Sequence, residues 1–153
     1  MRNKRQLLIE QLDRKLEPFL EAKMVLVPER GWVHAIRTTL NMTMDQLGNK
    51  LGITRQGVKR IEESEANGTI KLNSLKEVAE AMGLQLVYAL VPQNGTIDEL
   101  IESKAEKLAK KVVLRTNQNM KLEDQGIGDG KIARTIELLA NEIKREVRRS
   151  LWD

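Results

Sequence analysis

The sequence predicts a mainly α-helical chain, with a group of short helices at its centre, helical extensions on both sides and one short strand. Three observations predict it. Apolar residues recur at three- and four-residue spacing over most of the 153 positions. Capping residues and glycines cut the middle of the chain into short helices. Residues 84–91 are instead a continuous, β-prone apolar run that Pro92 closes.

Taken in order, Leu8, Leu12, Leu16, Phe19 and Leu20 mark an amphipathic helix over residues 4–23, which Pro18 should kink or end early. Residues 24–28 form a short extended run, stopped by Pro28 and then Gly31. Trp32, Ile36 and Leu40 give a first short helix. Thr43 starts a second that carries Leu47 and Leu51, and Gly52 breaks it. Thr54 starts a third with Val58 and Ile61, which ends at the Asn67-Gly68 turn signal. A fourth presents Leu72, Leu75, Val78, Ala79 and Met82 on one face, with Gly83 at its C-terminal cap.

Beyond the Asn94-Gly95 turn, Thr96 and Glu99 form a capping box that opens a long helix reaching about Asn119. Residues 123–130 read as a loop. A last amphipathic helix uses Ile132, Ile136, Leu139, Ile143 and Val147 and ends basic at Arg148 and Arg149, which suits its dipole. The chain thus divides into an N-terminal helix and linker (residues 1–28), a central domain (29–92) and a C-terminal helical extension (93–153).

Composition removes several function classes. With no Cys there is no disulfide framework and no thiolate metal site. One His, His34, leaves no zinc set and no Ser-His-Asp machinery, and it reads as a packed or half-exposed helix residue. No metal, cofactor or enzymatic activity is expected. The 123–130 loop lacks a preceding strand and a P-loop Lys, so it predicts no nucleotide site. No apolar run approaches the roughly 20 residues of a membrane span, and the basic start is no secretory signal, so an intracellular, cytoplasmic protein without a membrane partner is expected. Lys and Arg total 26 against 22 Asp and Glu, a net charge of +4 that favours a polyanionic partner.

The functional signal lies in two consecutive helix starts. The Thr43 hydroxyl can accept from the amide three residues on while Gln46 reaches back, and Met42 with Leu47 can staple the same end. Thr54 caps the next helix, with Ile53 and Val58 as its staple. Only Leu51, Gly52 and Ile53 remain for the connection, so the helices meet steeply, and Gly52 can supply the left-handed residue. Gly48 and Gly57 leave room where the helices cross. Two short helices joined by a tight Gly turn and packed on a third make a helix-turn-helix, which offers the first turn of its second helix to the DNA major groove. Val58 and Ile61 face the core by spacing, so Arg55, Gln56 and Lys59 project outward as base readers. Thr43, Lys50, Thr54 and Arg60 are placed for phosphates. The competing reading is a plain surface helix with solvated charges.

The run from Thr43 to Glu62 resembles the helix-turn-helix of phage-repressor-type (XRE-like) regulators. Such regulators usually carry Gln at the first position of the first of these two helices, on a phosphate; this chain has Met44 there, with Gln46 or Arg55 as candidate replacements. Residues 30–37, 65–70, 86–92, 120–125 and 151–153 are similar to the family called mobile mystery protein A. That resemblance implies a small regulator linked to a Fic-domain protein, mobile mystery protein B, and hence an autorepressor with an antitoxin-like role; the alternative is an antitoxin that neutralises a Fic toxin by protein contact, with DNA binding secondary. Fic inhibitors of the known kind carry Ser/Thr-x-x-x-Glu-Gly/Asn. No Glu here precedes Gly or Asn, so another surface would be used.

A strand at residues 84–91 needs a partner for its amides and carbonyls. Residues 25–27 could supply one within the chain, or a second copy could pair across a two-fold axis through Leu86, Tyr88 and Leu90. The second is favoured, because readers of this type act as homodimers on palindromic double-stranded operators. The helices outside the central domain would form a core or a dimer or partner surface, with the loop around Gln125 to Gly130 as a candidate contact.

Overall fold

The computed structural model describes residues 4–122 and 128–153, with side chains through Gln118 and again from Gly128. Residues 125–127 of the candidate contact loop therefore lie outside the described residues, and Asp129 and Gly130, read as loop, begin the last helix. In chain order the helices are α1 (Lys4–Leu16), α2 (Trp32–Thr39), α3 (Met44–Leu51), α4 (Arg55–Asn67), α5 (Leu72–Ala81), α6 (Ile97–Leu122) and α7 (Asp129–Glu146). Short 3-10 turns cover Glu17–Phe19, Glu21–Met24 and Arg149–Trp152. Pro18 ends α1 in the first of these turns, since its ring removes a helical donor.

The chain forms two compact units, one of Glu21–Ala89 and one joining the residues up to Leu20 with Leu90–Asp153. In the first, α2 to α5 each give one buried side chain to a shared centre: Val33, Leu47, Val58 and Val78. Met42, Met44, Leu51, Ile61, Leu75 and Met82 pack around them. Full burial of such a side chain contributes about 1.5–3 kcal/mol, which holds these short helices in place where their own propensity would not.

The second unit is built on the α6–α7 hairpin with α1 against it. Ile9, Ile101, Ala105, Ala109, Ala140, Ile143 and Leu151 form its core, and the alanines bring the helix backbones close. The Thr96–Glu99 capping box is present: the Thr96 Oγ1 accepts from the Glu99 amide at 3.1 Å, and the Glu99 carboxylate from the Thr96 amide at 3.2 Å. Asp13 of α1 caps the same end, its Oδ1 accepting from the Ile97 amide at 2.7 Å and its Oδ2 from the Asp98 amide at 3.1 Å. Lys144 reaches from α7 to Asp98 and Glu102. Partial burial works to lower its pKa, but the hydrogen bond and charge of Asp98, with Glu102 behind, outweigh that and raise it. Glu146 ends α7, and Val147 takes a left-handed φ of 47° before the last turn tucks Leu151 inside.

The strand read at residues 84–91 requires correction. Among the described residues there is no strand, and this segment runs as irregular backbone. Its residues beyond Leu84 make no backbone–backbone hydrogen bond, with residues 25–27 or any other described segment. A β-prone run cannot become a strand without a neighbour, and none of the described residues pairs with it. Among the described residues no helix is long and apolar enough to cross a membrane.

Candidate nucleic-acid interface

Both helix starts have the cap chemistry that their sequence prescribes. At α3, the Thr43 Oγ1 accepts from the Gln46 amide at 3.1 Å, and Gln46 Oε1 accepts from the Thr43 amide at 2.8 Å. At α4, the Thr54 Oγ1 accepts from the Gly57 amide at 3.1 Å. Each hydroxyl keeps its own proton, which is left to donate outward.

The turn between them rests on two glycines. Gly52 ends α3 at φ 69°, a region that L-side chains rarely enter. Gly48 lies where α3 passes the turn: the Ile53 amide donates to its carbonyl at 2.9 Å, and a Cβ at Gly48 would sit 2.7 Å from the Ile53 carbonyl oxygen. Ile53 in turn lies over Gly57, fixing the start of α4.

With Val58 fully buried and Ile61 packed beside it, the opposite face of α4 is outward. Arg55, Gln56, Lys59 and Arg60 are all exposed, as are Thr43, Lys50 and Thr54 around them. Arg55 and Thr43 wall a depression of about 440 Å³ with Arg37, Thr38, Asn41, Met42, Met44 and Asp45. Met44, at the position where Gln is usual, thus lies beside Arg55. Gln46 has already committed its carbonyl oxygen to the cap, which leaves Arg55 as the cation in this depression that faces solvent. Leu86 is half-buried and lines an apolar groove of about 250 Å³ with Trp32, Val33, Leu75 and Met82. Tyr88 and Leu90 are exposed, at 69% and 89%.

Three residues that position α4 were missed. Arg37 of α2 is buried and donates to Glu62 of α4 at 2.8 Å and to the Met42 carbonyl at 2.9 Å. It thereby joins α2, α4 and the residue ahead of the α3 cap. His34 Nδ1 lies 3.3 Å from the same Glu62 carboxylate, which is its place in the fold. One turn on, Glu65 accepts from the Trp32 and Val33 amides at 2.9 Å each and so caps α2. The signal was available: Glu62 and Glu65 follow Val58 at helical spacing, on the face already assigned to the core. Among the described residues no cluster of His, Asp or Glu is suited to a metal ion.

This geometry has a family counterpart over part of the chain. Residues 33–88 match the family model described as helix-turn-helix. They form a helix-turn-helix domain. Such a domain is a DNA-binding regulatory fold rather than a catalytic one, and the match covers α2 to α5 with the segment that follows. No curated protein matches the chain, and no solved structure does.

Proposed function

We propose that the protein is a sequence-specific transcriptional regulator, an autorepressor that binds a palindromic double-stranded operator as a homodimer. The observation that carries this reading is the exposed polar face at the start of α4, formed by Arg55, Gln56 and Lys59 and held by a capped glycine turn and a buried ion pair. In the major groove Arg55 would donate twice to guanine, Gln56 would pair with adenine and Lys59 would reach a further acceptor. Lys50 and Arg60 would hold phosphates, and the free hydroxyl protons of Thr43 and Thr54 would donate to phosphate oxygens at the two helix ends.

The homodimer is supported by residues 84–91. Residues 81–97 contain no charged side chain in a chain that is 31% charged, whereas unpaired edges are normally guarded by charge. Two copies can therefore pair across a two-fold axis without like charges meeting, through Leu86, Tyr88 and Leu90. Half-sites would lie roughly 34 Å apart along the duplex. An antitoxin-like link to a Fic-domain protein rests on the sequence resemblance alone.

Selection from randomised duplexes tests the reading. The expected product is an inverted repeat whose halves lie about one helical turn apart. Failure to enrich any sequence would refute base reading, and enrichment of an unrepeated site would refute the dimer.

A further inference from the structure

Residues 103–118 of α6 carry five basic side chains, Lys104, Lys107, Lys110, Lys111 and Arg115, against one acid, Glu106. Their net charge of +4 equals that of the whole chain, so all other residues together balance to zero. The helix-turn-helix domain is nearly neutral by comparison, with seven basic and six acidic residues over 33–88. The charge that would attract a polyanion is therefore concentrated on a helix outside that domain.

Its arrangement is ordered. At 3.6 residues per turn, Lys104, Lys107, Lys111 and Arg115 fall within an arc of about 80° and span about 16 Å along the axis. Ile101, Ala105, Ala109 and Val113 occupy the other side of α6 and are buried. All five cations are exposed, and none makes an ion pair with a described residue. Lys107 and Lys110 also edge the groove between α6 and α7, near Glu102, Glu106 and Glu137. The buried side of α6 is committed to the core, and the stripe offers chiefly charge, with Leu100 and Leu114 beside it 37% and 41% exposed.

We infer that this stripe is a second DNA contact, which tracks the phosphate backbone of duplex DNA without reading sequence. The inference rests on the regulator reading above and adds the surface that supplies most of its electrostatic attraction. A duplex presents phosphates at 3.4 Å of rise per strand, so about 16 Å of helix matches roughly five base-pair steps. Each neutralised phosphate releases counterions and contributes about 0.9 to the slope of log affinity against log salt.

The test compares the full chain with a variant carrying Lys104→Gln, Lys107→Gln, Lys111→Gln and Arg115→Gln. Affinity is measured over a salt series for a selected operator and for an unrelated duplex. Both affinities should fall by a similar factor, the salt slope should become shallower by about 3.6, and the preference for the operator should stay unchanged. The double variant Lys104→Gln, Lys111→Gln should give about half that change and guards against misfolding. Unchanged slopes with intact operator binding would overturn the stripe while leaving base reading in place. If the variant loses only binding to phosphatidylserine vesicles, the stripe belongs to anionic lipid and the inference fails. If the parent chain binds no duplex, the regulator reading falls and the stripe falls with it.

Discussion

The Arg37 guanidinium lies 2.7 Å from Glu62 Oε1, with each residue only 6% exposed. This pair fixes α2 against the middle of α4, and a second Arg37 bond reaches the Met42 carbonyl just ahead of α3. Two helices of the reading head and the residue that leads into a third therefore meet on one guanidinium.

Removing one partner of such a pair strands a buried charge. Glu62→Gln should destabilise the Glu21–Ala89 unit by about 3–5 kcal/mol. Exchanging both residues for apolar ones of similar volume should do less damage than the single change. Urea denaturation of the parent, Arg37→Met, Glu62→Met and the double variant closes the cycle, with Glu62→Gln measured beside it; additive losses would contradict a coupled pair.

Gly48 and Gly57 separate two kinds of close contact. A Cβ at Gly48 would meet the Ile53 backbone oxygen at 2.7 Å, while one at Gly57 would meet the Ile53 side chain at 3.2 Å. Backbone cannot yield as a side-chain end can, so Gly48→Ala should destabilise by about 1–3 kcal/mol and Gly57→Ala by less. Thermal melts of the two variants check this order, and the reverse order would refute the crossing described.

Asp13 joins α1 to the start of α6 through two amide donors. Asp13→Ala should destabilise by about 0.5–2 kcal/mol, the range for loss of an N-terminal cap. Asp13→Asn, which keeps one acceptor, should recover part of it. Equal stability of all three proteins would exclude the cap.

Lys144 has a pKa raised in the folded protein, so its contribution is fully present below the ordinary lysine value of 10.5 and is lost as pH rises through the folded value. Both side chains are half-buried but reach solvent, and about 0.2–1 kcal/mol is expected from the pair. The gap in thermal midpoint between the parent and Lys144→Met should be constant from neutral pH to about 9 and should shrink above 10.5. A gap that persists at higher pH would mean that packing of the lysine stem, not its charge, sets the difference.

Much of this architecture was readable from local chemistry. The caps at Thr43, Thr54 and Thr96 and the left-handed Gly52 depend on residues within three positions of each other, so the sequence states them directly. Long-range relations were hidden. Asp13 reads as one more charge on an amphipathic helix until α6 is brought beside it, and although Glu62 and Glu65 lie on the core face of α4, their partners on α2 emerge only where the two helices cross. Residues 84–91 show the limit from the other side, because β-propensity names a preference while a strand needs a neighbour. The residues facing outward on α4 were legible for a simple reason: Val58 and Ile61 claimed the inner face.

The reading head is tested most directly by binding a selected operator, and duplexes with single base-pair changes, to the parent and to Arg55→Ala. A loss of about 1–3 kcal/mol on the operator is expected, with loss of discrimination at one base pair per half-site and the other positions still read. Unchanged operator affinity, or a uniform loss that leaves every base preference intact, would contradict the placement of Arg55 against a base.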